Sequence, residues 1–160
     1  MLSCFQGGTV VQSLSSQDKF DAIRELIHKA PVFAGLGCRD ELEEAVVQRE
    51  KILSTGLGRG VAVAHGTTDR VDDIVIALGI SERGIDFDAF DKAPVHLLFV
   101  ITNPPGRQME YLVALSAVTR LVRDESFRES LRVTAPAQEI ELKICQAFSE
   151  CLDKYGTLTN

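Results

Sequence analysis

The chain has 160 residues, 45% of them hydrophobic and 25% charged, with a formal net charge of -6. These values describe one ordinary domain able to bury a core and exclude a disordered chain. The acidic balance argues against a broad nucleic-acid surface, and the absence of any membrane-length apolar run argues against membrane insertion.

The opening "MLSCFQGGTVVQ" lacks the basic segment and long apolar core of a signal peptide, so a cytoplasmic protein is expected. The four cysteines fit that compartment as thiols. Cys145 and Cys151 fall on different faces of a helix, and no C-x-x-C pair exists, so neither a zinc site nor a redox motif is signalled. No repeat or linker divides the chain, and residues 1–160 are read as a single domain.

In chain order, "TVVQSL" reads as a short strand. Ser15 then opens a helix, with Asp18 completing an approximate capping box and Phe20, Ile23, Leu26 and Ile27 as its apolar stripe. Pro31 lies just beyond its end. A second helix is expected from Asp40, with Glu43 in the capping position and Leu42, Ala45, Val46 and Ile52 inward. Arg49 and Lys51 fall in its last turns, where cations suit the helix dipole. Glu50 and Lys51 are read as solvated.

The stretch "STGLGRGVAVAHG" (residues 54–66) follows. In "GVAVAH", Val61 and Val63 alternate with Ala62 and Ala64, predicting a strand that ends at His65. "DDIVIALGI" predicts a second strand, and the nearly all-apolar "PVHLLFVIT" a third, covered on both faces. His96 within it is expected to be a sheet-face histidine with one hydrogen bond, and His28 to suit its helix end. After the "NPPGRQ" break, "MEYLVALSAVTRLV" returns to helical spacing with Leu112, Leu115, Val118 (or Thr119) and Val122 inward. A short helix follows Asp124. The last helix has Thr134 as N-cap, Pro136 in its first turn, an Ile140, Ile144, Phe148 stripe and Gly156 as its stop. Three consecutive strands exclude a regular doubly wound sheet. The expected class is α/β with α+β character: a mixed sheet flanked by helices on both sides.

The glycine stretch is no dinucleotide fingerprint, because a helix precedes it and a strand follows. It is no Walker A loop, because Val61 stands where lysine is needed, and no G-x-S-x-G elbow occurs. One reading is a helix C-cap at Gly56 with tight entry into an edge strand. The other is functional. His65 stands at a predicted strand's carboxyl end, Gly66 leaves space beside the ring, and Ser54 and Thr55 lie close before it. A neutral imidazole is a competent nucleophile near neutral pH. No second ligand stands nearby at metal spacing, so no metal is expected.

"REKILSTGLGRGVAVAHG" resembles the R-E-x-x-x-S-T-G-[IL]-G-x-G-[IV]-A-[IV]-P-H-G signature of enzyme IIA proteins of the bacterial phosphotransferase system, fructose–mannitol type, which includes the nitrogen-regulatory IIA proteins. "FDAFDKAPVHLLFVIT" and "YLVALSAVTRLVRDESFRESLRVTAPAQEI" extend the resemblance over roughly residues 8–150. It implies a mixed sheet flanked by helices and His65 as phosphoryl acceptor. The implied donor is a histidine phosphocarrier protein charged from phosphoenolpyruvate. The implied recipient is a sugar-specific IIB domain or, in nitrogen-regulatory relatives, a regulatory partner. No cofactor is implied. Arg49 aligns with the family's active-site arginine and would neutralise phosphoryl oxygens; otherwise it is a helix-end cation paired with a carboxylate. Thr55 and the loop amides would complete the cradle.

Two positions depart from the family pattern. Ala64 replaces the proline before the histidine, and Tyr111 replaces a second histidine. Tyrosine donates one hydrogen bond but carries no positive charge at neutral pH. Loss of a well-placed donor or cation costs on the order of ten- to a thousandfold in rate. The expectation is therefore a phosphocarrier of regulatory type, with a non-transferring regulatory binding module of the same fold as the alternative.

Overall fold

The structure, a computed structural model, describes residues 4–155. Eleven elements follow in the order β1 (Val10–Val11), α1 (Lys19–Lys29), α2 (Pro31–Ala34), α3 (Arg39–Ile52), β2 (Gly56–Gly58), β3 (Val61–Thr67), β4 (Val75–Ile85), β5 (Val95–Asn103), α4 (Gln108–Val122), α5 (Glu125–Leu131) and α6 (Ala137–Tyr155). The strands form one mixed sheet in the order β1-β4-β5-β3-β2. The apolar run at 95–103 is its central strand, antiparallel to β4 and parallel to β3.

The side-chain alternation of a strand divides the core in two. On one face Val61, Val63, Leu97, Phe99 and Ile101 pack with Ala114, Val118, Ile140, Ile144 and Phe148 of α4 and α6. On the other Ala62, Ala64, Leu98 and Val100 pack with Ile23, Leu26, Leu42 and Val46 of α1 and α3. Both faces are covered, which is why β5 reads as a continuous apolar run rather than an alternating one. The Val/Ala alternation of β3 thus has a purpose on each side. The valines fill space under α4 and α6, and the alanines admit α3 at close range.

Several boundaries differ from expectation. The first strand is only two residues, paired parallel to β4 at Leu78 and Gly79. Asp18, not Ser15, caps α1, its carboxylate accepting from the Phe20 and Asp21 amides. The Ser15 and Ser16 amides instead reach Glu25, which stands in the second turn of the helix. Glu43 does not cap α3; it accepts from Arg24 Nε at 3.0 Å and contacts His28 Nε2 at 2.6 Å, tying α1 to α3. Ile52 is 79% exposed and Leu112 52% exposed. Each stands off the buried stripe of its helix, which runs through Leu42, Val46, Val47 and Glu50 in α3 and Ala114, Ala117, Val118 and Val122 in α4. The strand at His65 continues to Thr67, and β4 begins at Val75 rather than Asp72. Thr134 stands outside the α6 cap position, since the helix begins just after Pro136. Gly156 lies outside the described residues. The short helix after Asp124 is α5, which Asp124 caps by accepting from the Ser126 and Phe127 amides, and His96 Nδ1 meets the Ser81 carbonyl at 2.8 Å.

Candidate phosphoryl site

The site lies on the outer edge of β3. The short β2 pairs with β3 only at Val61 and Ala62, and the Thr55 carbonyl accepts from the Val63 amide at 3.1 Å. Beyond that point the registered partner of β3 is β5 alone, from His65↔Ile101 to Thr67↔Asn103. His65 follows Val61 and Val63 on the face covered by α4 and α6. The side chain therefore projects beside α4, where Tyr111 meets it with ring centroids 5.0 Å apart and planes tilted by 37°.

Arg49 comes from the last turn of α3, on the other face. Its charge nevertheless acts on both His65 and Tyr111, so the guanidinium lies in the neighbourhood of both rings. Arg49 Nη1 donates to the Leu53 carbonyl at 3.4 Å. Among the described residues it makes no ion pair with a carboxylate, so the alternative of a paired helix-end cation does not hold.

Electrostatics keep the imidazole neutral. Burial lowers the His65 pKa below the ordinary value, the Arg49 charge lowers it further, and a backbone hydrogen bond at Val63 offsets part of this. Burial raises the Tyr111 pKa, with Arg49 pulling the other way, so the phenol stays protonated at neutral pH. The site thus holds a neutral, half-buried nitrogen base, a neutral hydroxyl donor and one uncompensated cation. That set suits an incoming anion better than a metal.

Three glycines near the site are required by the backbone itself. Gly58 and Gly60 have φ of +85° and +78°, values that favour glycine and turn the chain from β2 into β3. Gly66 behaves differently from expectation. A Cβ there would stand 2.9 Å from the Val46 amide nitrogen, so this glycine lets the α3 backbone approach β3 rather than leaving space beside the His65 ring. That close approach delivers Arg49 to the edge.

Residues 3–146 match the family described as "Phosphoenolpyruvate-dependent sugar phosphotransferase system, EIIA 2". The chain belongs to this family. The EIIA is 34% identical over 131 residues to a nitrogen regulatory protein of Bradyrhizobium diazoefficiens, covering 82% of this chain and 85% of that one. It is 35% identical over 123 residues to a fructose-specific EIIA component of Haloferax volcanii, covering 77% and 80%. Among solved structures, nitrogen regulatory protein IIA-Ntr of Neisseria meningitidis matches with a TM-score of 0.75 and 28% identity over 86% of this chain and 93% of that one. The mannitol IIA of Escherichia coli in complex with phosphorylated enzyme IIB shares the fold, with a TM-score of 0.68 and 22% identity over 91% and 96%. The family supports a phosphocarrier or regulatory IIA role for this EIIA.

Of the residues singled out from sequence, His65, Arg49 and Tyr111 converge in this EIIA. Thr55 lies on the adjoining loop, but its hydroxyl is given to the Glu50 carboxylate. Glu50 corrects the reading of it as solvated. It is 1% exposed and also accepts from the Thr55 amide at 3.1 Å. The signal was available in the sequence: Glu50 continues the four-residue spacing of Leu42 and Val46, whereas Ile52 lies off it. Lys51 is exposed, as expected.

Other chemistry lies elsewhere. An apolar groove of about 170 Å³ opens between α4 and α6 beside Leu112 and Tyr155, and His65 does not line it. His28, Asp40 and Glu43 bring ligand atoms within 4.8 Å of one another; Glu43 is already engaged by Arg24, and the group reads as an ion-pair cluster joining α1 to α3. Burial, with smaller effects of Asp73 and Cys145, pushes the Cys4 thiol up to about 12, so it is no nucleophile at neutral pH. Among the described residues no helix is long and apolar enough to cross a membrane.

Proposed function

We propose that this EIIA accepts a phosphoryl group on His65 from a histidine phosphocarrier protein and serves a regulatory circuit of the nitrogen type. The carrying observation is the convergence of a neutral, half-buried His65 with an Arg49 that no carboxylate compensates, on the one open strand edge of the site. A neutral imidazole keeps one ring nitrogen unprotonated and free to attack. In the transfer, a new P–N bond to His65 forms as the P–N bond to the donor imidazole breaks, and the donor leaves as free imidazole. Catalysis here is positioning plus neutralisation of the equatorial oxygens. Arg49 supplies the charge, Tyr111 one hydroxyl proton, and Thr55 part of the loop wall.

Two observations favour a regulatory role over a dedicated sugar carrier. Tyr111 offers no cation beside the phosphoryl group, which slows onward transfer to a IIB cysteine and lengthens the life of the phosphorylated state. The similarity to nitrogen regulatory proteins extends over most of both chains. The same tyrosine also favours the second reading, a docking module that takes no phosphoryl group.

The test is direct. The protein is incubated with phosphoenolpyruvate, enzyme I and the histidine phosphocarrier protein, and its intact mass is taken. One phosphoryl adduct is expected, absent in His65→Ala. No adduct on the native chain supports the docking module, and an adduct that survives in His65→Ala removes His65 from the chemistry.

A further inference from the structure

The end of α3 and the glycine loop are joined through a buried carboxylate. The Glu50 side chain is fully enclosed. One oxygen accepts from the Thr55 amide at 3.1 Å and lies 3.5 Å from Lys19 Nζ of α1, and the other accepts from the Thr55 hydroxyl. A carboxylate removed from water persists only when paired and hydrogen-bonded, and Glu50 has both kinds of partner. Thr55 is held from the other side as well, its carbonyl accepting from the Val63 amide two residues before His65. The flanking residues are equally fixed. Ser54 Oγ donates to the Phe87 carbonyl at 2.7 Å, and Gly56 packs against Ala89 so closely that a Cβ would stand 2.8 Å from the alanine Cβ.

Arg49 is inside this arrangement. It immediately precedes Glu50, and its guanidinium donates to Leu53, which lies between the two ends of the Glu50–Thr55 contact. We propose that Glu50 and Thr55 form a latch that positions Arg49 toward His65, and that Thr55 contributes to phosphoryl transfer through this latch rather than as a donor to the phosphoryl oxygens. The hydroxyl has a single proton, and it is already given to the carboxylate. Both residues are positioning residues. The proposal rests on the reading of His65 as the phosphoryl acceptor, but it has a readout of its own.

That readout is the His65 pKa, followed by NMR titration of the ring C–H signals, alongside the rate of phosphoryl gain. Thr55→Val removes the hydroxyl without changing charge. It is expected to let Arg49 withdraw, to raise the His65 pKa and to slow phosphoryl gain about ten- to a hundredfold. Thr55→Ser keeps the hydroxyl and should match the native chain in both. In an Arg49→Ala background, Thr55→Val should leave the His65 pKa where Arg49→Ala has put it. Native pKa and rate in Thr55→Val, or equal pKa shifts with and without Arg49, overturn the latch. If Thr55→Val does not fold, Glu50→Gln carries the same cycle. If the native chain takes up no phosphoryl group, the reading of His65 falls while the pKa cycle still decides the latch.

Discussion

At the scale of single residues, the proposed chemistry depends on keeping His65 unprotonated next to a cation. Its pKa is lowered, so the folded chain takes up this proton at a lower pH than the unfolded chain does. The unfolded chain therefore binds more protons just below its pKa of about 6.5, and His65 subtracts stability as pH falls from there to the lowered folded value. The same shift fixes the activity profile. The rate of phosphoryl gain should stay flat from pH 8 through about 6.5 and decline only in the more acidic range where the folded imidazole protonates. Stopped samples analysed by intact mass across pH give that profile; a midpoint at or above the ordinary histidine value would contradict the burial argument. Tyr111 supplies the complementary prediction. Its ring already stacks at 5.0 Å from His65, so a histidine would fit beside the phosphoryl group with a second imidazole. Tyr111→His should speed transfer to an acceptor about tenfold or more. Unchanged rates in single-turnover assays would mean the tyrosine is no handicap, and the regulatory reading would lose its residue-level support.

At the scale of elements, the decisive contact is α3 on β3. Gly66 permits it, because a Cβ would press on the Val46 amide nitrogen and the neighbouring Ala45 carbonyl carbon, neither of which can rotate away. Gly66→Ala should therefore push α3 off the sheet, cost about 1–3 kcal/mol by overpacking, and displace Arg49. Urea denaturation should show the stability loss, and phosphoryl gain should fall by more than that loss alone explains, since the fold remains populated. This contact was not legible in the sequence, where one glycine after a histidine says nothing about which face it serves. The strands and helices were better marked. The Val/Ala alternation of β3, the apolar run of β5, the Asp124 cap and the α6 stripe all follow from local patterns that tertiary structure did not override. His65 was legible as a candidate through the stretch at residues 54–66, and Arg49 and Tyr111 through a family resemblance. The burial of Glu50 was missed because charge type was weighed over periodicity. The length of β1 was missed because pairing to β4, not composition, ends that strand after two residues.

At the scale of the whole molecule, the sheet separates scaffold from chemistry. The proposed site of His65 and Arg49 lies at the β3 edge, while the opposite edge is closed by β1 and α6. There Glu141 of α6 accepts from the Gly8 amide at 3.1 Å, the Thr9 amide at 2.8 Å and the Thr9 hydroxyl at 2.7 Å. Thr9 is fully buried, and its carbonyl accepts from Leu78 of β4 at 2.8 Å, so this single carboxylate docks the N-terminal segment onto both the sheet and the last helix. Glu141→Ala strands a buried amide and a buried hydroxyl, at a cost of about 2–3 kcal/mol for charge-assisted bonds lost without replacement. The β1 and β3 strands are three steps apart, about 14 Å at ordinary strand spacing, beyond the range over which substitutions usually couple. Glu141→Ala should then lower the urea midpoint at unchanged slope while leaving the rate of phosphoryl gain on the folded chain within about twofold. Combined with Gly66→Ala, the two stability losses should add. A rate loss in Glu141→Ala alone would instead mean that β5, the strand shared by both halves of the core, carries strain from one edge of the sheet to the other.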